Sequence, residues 1–120
     1  MATPRSADRV QALARRIWRR AASDRPLPSI RIRDVRRGRW SDKTGIITLP
    51  SWLWARHSPG FVEYYIAHEL AHAYLNRTGH DIEFQLICAK LAEETYWWES
   101  TYKPRMYAAC LSVLSRPSVV

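Results

Sequence analysis

Cysteine is scarce in this chain. There are two, Cys88 and Cys110, among 120 residues, and no CxxC pair. That argues against a disulfide scaffold and against a cysteine-rich zinc ribbon. With no signal peptide in view, it favours a reducing, cytoplasmic interior. Cys88 reads as a buried helix residue, because free cysteine behaves as a small apolar group. No apolar run approaches the ~20 residues a membrane-spanning helix requires, so the chain reads as soluble. Internal repeats and low-complexity segments are missing too. Lysine is nearly absent, at three residues against sixteen Arg.

What is present is enough for a core. Apolar and aromatic residues make up 47% of the chain, with six Trp and six Tyr. The length fits one compact domain spanning residues 1–120. The charge is uneven. Residues 1–40 carry twelve Arg and three Asp, whereas residues 41–120 carry a net charge of −1. Such an asymmetry points to a polyanionic partner, DNA or nucleoprotein, reached through Arg15, Arg16, Arg19, Arg20, Arg36, Arg37 and Arg39. The alternative is a solvated basic face that aids solubility. Trp40, Trp52 and Trp54, interleaved with Arg, could stack bases, although core or groove lining is their commoner use.

The order of elements predicts an α+β fold. Val10, Leu13, Ala14, Ile17, Trp18 and Ala21 recur at helical spacing, which predicts an amphipathic helix over residues 6–22. The same segment is Arg-rich and acid-poor, as a mitochondrial transit peptide would be, but an apolar stripe built into the fold would exclude that reading. IRIR, residues 30–33, alternates as a half-buried strand does. A second strand is expected around Val35–Trp40, bent near Gly38. SDKTG supplies a turn, and IITL, residues 46–49, a third strand paired with the second as a hairpin. Pro59 and Gly60 mark a loop. A helix is then expected over 61–76, stopped by Gly79 in a left-handed conformation. Asp81 is placed to cap a following helix that runs toward Glu99. Pro104 breaks the chain before a short helix over 106–114.

His68-Glu69-Leu70-Ala71-His72 carries the chemistry. Two His four apart on a helix are offset by about 40°, so both rings can reach one point. Imidazole is a good zinc ligand. Glu69 sits about a quarter-turn away, off the metal but near enough to take a proton from its water. An HExxH arises by chance in a chain this short roughly once in a few hundred, so two unrelated surface histidines are the weaker reading. A catalytic site needs a third protein ligand. His80 is the first choice, because the turn after Asn76 could bring it back beneath the pair. Glu93, Glu94 and Asp81 are the alternatives. His57 lies in a loop beside Arg56, with no pattern around it. Tyr64, Tyr74, Tyr102 and Tyr107 are phenols available to stabilise an oxyanion. The strand Ile46, Ile47, Thr48, Leu49 is the expected sheet edge for an extended substrate.

These residues resemble a known family. HELAHAYL followed by GHDIEF is similar to the SprT-like (Spartan-like) zinc metallopeptidases, with Gly79, His80 and Phe84 matching the second element. The likeness extends through GIITLPSWLWARHSPGFVEYYIAHELAHAYL and covers about residues 44–90. It implies a minimal zincin-like α+β domain in which Zn²⁺ is held by His68, His72 and His80 and Glu69 is the general base. It further implies hydrolysis of peptide bonds, with DNA-associated proteins as substrates. Two other readings stay open: a nucleic-acid-binding module with a structural or vestigial zinc site, and a small regulatory protease acting on a repressor-like partner. The insert between His72 and His80 is only seven residues long.

Overall fold

A computed structural model of the chain describes residues 4–21 and 24–114. The chain runs α1 (Pro4–Arg19), β1 (Ser29–Arg33), β2 (Arg39–Ser41), β3 (Ile46–Pro50), α2 (Trp52–Arg56), α3 (Pro59–Leu75) and α4 (Ile82–Ala92). A 3₁₀ segment (Glu93–Trp98), α5 (Glu99–Tyr102) and α6 (Pro104–Leu114) follow. The fold is α+β, as the element order predicted. No helix among the described residues is long and apolar enough to cross a membrane.

The apolar stripe of α1 is buried. Val10, Ala14, Ile17 and Trp18 join a core that also holds Leu49, Leu53, Ile66, Leu70, Phe84 and Leu91. Each large side chain in it contributes about 1.5–3 kcal/mol of burial. This helix is therefore part of the fold. It ends at Arg19, three residues earlier than its periodicity suggested. Residues 22 and 23, where the expected end fell, lie outside the described residues.

The sheet has the order β1-β3-β2, with β1 parallel and β2 antiparallel to β3. The hairpin between the last two strands is present. Gly45 closes its turn at φ +67°, a conformation that favours glycine. Ile30 and Ile32 lie half-buried and alternate with exposed neighbours. One expectation fails here. Ile46, Ile47, Thr48 and Leu49 are not an edge, because β3 is the central strand and is buried from Ile47 to Pro50. An unbroken apolar run is the mark of a strand covered on both faces. The edges are β1 and β2.

The second strand is shorter than expected, because residues before Arg39 make other contacts. The Gly38 N–H donates to the Tyr65 hydroxyl at 2.8 Å, and the Trp52 indole N–H donates to the Arg36 carbonyl at 3.2 Å. A Cβ on Gly38 would lie 2.9 Å from a Tyr65 ring carbon and 3.0 Å from the Thr48 carbonyl oxygen. Gly38→Ala is therefore expected to cost about 1–3 kcal/mol, as overpacking does. Chemical denaturation checks this, and an unchanged midpoint would mean the loop yields freely.

Pro59 opens α3 where a loop was expected. Proline fits the first helical turn, and the Ser58 hydroxyl accepts from the Phe61 N–H at 3.3 Å. The helix α4 stops at Ala92, well short of Glu99, because Glu93 takes φ +46° and the chain tightens into the 3₁₀ segment.

Candidate metal centre

The helix α3 carries His68, Glu69 and His72 and packs most extensively on α4. Its C-terminus sets the geometry of the site. Asn76 adopts the left-handed conformation, φ 54° and ψ 46°. Gly79, the expected stop, has no positive φ. Asparagine tolerates this region, and its Oδ1 accepts from the Trp40 indole N–H at 3.3 Å. The Arg77 N–H reaches back to the His72 carbonyl at 3.2 Å and the Asn76 N–H to the Ala73 carbonyl at 3.2 Å, the bond pair of a Schellman ending.

Arg77 bonds to His72 a second time. Its carbonyl lies 3.0 Å from His72 Nδ1, which fixes that nitrogen as the donor and turns Nε2 the other way. The Arg77 guanidinium clamps Asp81 at 2.9 Å and Glu83 at 2.6 Å. Asp81 also caps α4, accepting from the Phe84 N–H at 2.9 Å. A short turn pinned at both ends brings His80 back to the pair. His68 Nε2 and His80 Nε2 are 3.2 Å apart, and the three histidines each offer a nitrogen within 4.8 Å of the others. Two nitrogens bound tetrahedrally to zinc would be about 3.3 Å apart, given Zn–N distances near 2.0–2.1 Å. The donor set fits the ion.

Phe84 packs against all three rings. It stacks on His72 with centroids 4.4 Å apart and meets His68 at 4.9 Å and His80 at 5.0 Å. Its side chain is fully buried, so the imidazoles rest on a rigid wall. Glu99 escaped the sequence reading, lying 31 residues from His68 with no local motif. It is fully buried, and its Oε2 lies 3.8 Å from His68 Nδ1 and accepts from the Tyr64 hydroxyl. Burial by itself would raise the Glu99 carboxyl, but the facing His68 and Tyr64 groups outweigh it and bring it below its usual value. A carboxylate behind a histidine orients the ring and strengthens it as a ligand. The one sequence hint is Tyr64, on the same helix face as His68 at i, i+4.

Glu99, Cys88 and His68 form a second compact donor group. Burial pushes the Cys88 thiol well up, and the nearby Glu99 charge adds to this, so the thiolate a metal needs is disfavoured. Both cysteines are buried and unpaired. Glu93 and Glu94, the alternatives for a third ligand, are exposed, and Glu93 faces Arg20 at 3.5 Å. Asp81 is spent on Arg77 and the cap.

Glu69 is 7% exposed and its Oε1 has no hydrogen-bond partner. Burial raises its pKa, with the His68 charge opposing. It lines a cleft of about 750 Å³ together with all three histidines. His57, at the rim, packs on Phe61 with centroids 4.3 Å apart. Of the four phenols, Tyr64 is committed to Glu99, Tyr74 packs on Trp18, and Tyr107 packs on Tyr96. Tyr102, 52% exposed on the cleft wall, is the one still available. Trp40 and Trp52 also line the cleft; Trp54 packs against the core.

The arginines divide. Arg36, Arg37 and Arg39 line the cleft. Arg15 and Arg19 are exposed on α1. Arg20 does not fit its expected role as a free phosphate contact. It is mostly buried, donating to Glu63 at 3.0 Å and to the Leu91 carbonyl at 2.8 Å. Arg16 lies 3.6 Å from the same Glu63.

Burial, helped by its histidine neighbours, lowers the His72 pKa from 6.5 to about 4, and burial lowers that of His80 as well. In the metal-free protein the folded state resists a proton that the unfolded chain accepts. Stability is thus complete above pH 6.5 and is expected to fall as pH drops from there toward 4. His72 alone accounts for roughly 3 kcal/mol of that loss. Urea unfolding of the chelated protein at pH 7 and 4.5 measures it. Equal stability at both would show that His72 takes up its proton without unfolding.

No protein-family model matches this chain, and no curated protein does either. Among solved structures, it is similar to the metallopeptidase zymogen abylysin of Pyrococcus abyssi. The TM-score is 0.60 at 25% identity, over 79% of this chain and 95% of that one. The shared fold and the three-histidine cluster support a metallopeptidase.

Proposed function

We propose that this chain is a zinc-dependent endopeptidase of the SprT-like type. The observation that carries the reading is three converging imidazoles beside a buried, unpartnered carboxylate in an open cleft. Zinc held by His68, His72 and His80 would polarise the scissile carbonyl and lower the pKa of water to near neutrality. Glu69 accepts the proton and returns it to the leaving amine, and its raised pKa suits that exchange. Glu99 faces His68 Nδ1 at 3.8 Å, where its charge favours the ring, and the Arg77 carbonyl holds His72. Tyr102, exposed on the cleft wall, is the phenol we assign to stabilising the developing oxyanion. The substrate lies extended along β2, the edge strand whose Arg39 and Trp40 line the cleft.

The SprT-like assignment rests on HELAHAYL and GHDIEF, whose His68, His72, His80 and Phe84 come together in space. Action on DNA-associated proteins rests on the exposed Arg15 and Arg19 and on the overall charge of +8. A purely structural zinc site has no use for a buried carboxylate facing an open cleft, which disfavours the binding-module reading. The test is digestion of a denatured protein by the zinc-loaded chain, with and without DNA. Cleavage is expected to stop on chelation and return with zinc. Salt-dependent DNA binding with no cleavage at full zinc occupancy would leave only the binding module, and cleavage indifferent to DNA would favour a regulatory protease.

A further inference from the structure

The exposed charged side chains lining the cleft are all cationic. Arg36, Arg37 and Arg39 line it from the segment before and into β2, and Lys103 lines it from the end of α5. The carboxylates in the lining are Glu69 and Glu99, 7% and 0% exposed, at the reacting centre and behind His68. Among the described residues, none of the four cations forms an ion pair. Some arginines elsewhere do find partners. Arg16 and Arg20 share Glu63, Arg77 holds Asp81 and Glu83, and Arg31 donates to Thr48 Oγ1 at 2.9 Å. Four cations without an ion pair thus line the place where a substrate would lie.

Nor is this wall a loosely held solvated loop. The Trp52 indole grips the Arg36 carbonyl, the Tyr65 hydroxyl grips the Gly38 N–H, and the Trp40 indole donates to Asn76. Gly38 is packed so closely on Tyr65 that the backbone between the arginines has little freedom. Cations carried on an anchored backbone can offer charge-assisted hydrogen bonds to anionic side chains.

We propose that the cleft selects peptides with acidic side chains flanking the scissile bond, held by Arg36, Arg37 and Arg39 and by Lys103. This rests on the endopeptidase reading of the same site. An acidic peptide fits better than nucleic acid, because these cations line the cleft that holds Glu69 and the three histidines, so the chain they meet is the one in place to react.

The test uses the zinc-loaded full chain. A digest of random peptides first locates a cleaved bond. Two internally quenched peptides are then compared, differing only in Glu or Gln on both sides of that bond. The Glu peptide is expected to show at least about tenfold higher kcat/KM. In Arg36→Gln/Arg37→Gln/Arg39→Gln, with zinc content unchanged, the ratio is expected to fall to within about twofold of one. Each single variant, which serves should the triple variant not fold, is expected to lower it part of the way. Equal rates for the two peptides in the wild type would overturn the proposal while leaving the peptidase standing. If no peptide is cleaved, the peptidase reading fails, and the proposal is decided by binding of the same labelled pair designs to Glu69→Gln. Tenfold tighter binding of the Glu peptide supports it, and equal binding overturns it. Single-stranded DNA that displaces the Glu peptide and binds more tightly through the same three arginines also overturns it.

Discussion

Glu69→Gln is expected to lower peptide hydrolysis about 10³-fold while zinc content stays at the wild-type level. The magnitude lies in the range that general acid–base catalysis contributes. Glutamine keeps the size and the buried position of the side chain but cannot accept a proton at neutral pH. Glu69 lies outside the cluster of three histidines, so the metal does not depend on it. The substitution also removes the cost of burying a carboxylate with an unpartnered oxygen, so the variant is expected to be at least as stable as the wild type. Single-turnover cleavage with metal analysis on the same sample measures both effects. Robust hydrolysis by this variant would take the base away from Glu69.

His80→Ala is expected to weaken zinc binding by more than about 100-fold. Loss of a ligand's hydrogen-bonded support alone typically costs 10–100-fold, and loss of the ligand itself costs more. Two histidines would remain, and the Glu99 carboxylate sits on the Nδ1 side of His68, opposite the nitrogen that faces His80. Competition with a chromophoric chelator gives the affinity. Wild-type affinity in His80→Ala, together with its loss in Glu99→Ala, would move the third ligand to Glu99. Phe84, packed against all three rings, gives a useful contrast. Phe84→Ala keeps every ligand but loses the wall behind them, so it should cost stability, about 3–5 kcal/mol, before it costs ligand number.

Local signals in the sequence carried much of this molecule. The i, i+4 spacing places His68 and His72 on one helix face whatever surrounds them, because 3.6 residues per turn is a property of the backbone. Asp81 caps its helix through its own neighbour Phe84, three residues away. Ile30 and Ile32 face inward because strand side chains alternate. The turn at NRTG was harder to read. Both asparagine and glycine can enter the left-handed region, and the choice of Asn76 over Gly79 came with the Trp40 contact 36 residues away.

What the tertiary structure decided are relations between distant segments. Alternation and apolar runs say which faces of a strand are buried but not which strands are its neighbours. IITL therefore took the centre of the sheet, and the edge beside the site fell to β2. Glu99 reached His68 because the chain tightens after Ala92, a bend made by one residue at positive φ, and no periodicity encodes that. Charge is the least directional signal of all. Twelve arginines in forty residues established a strongly basic segment, but a long side chain can point to solvent, to a glutamate or into a cleft. Only packing sent Arg20 to Glu63 and set Arg36, Arg37 and Arg39 along the wall of the cleft.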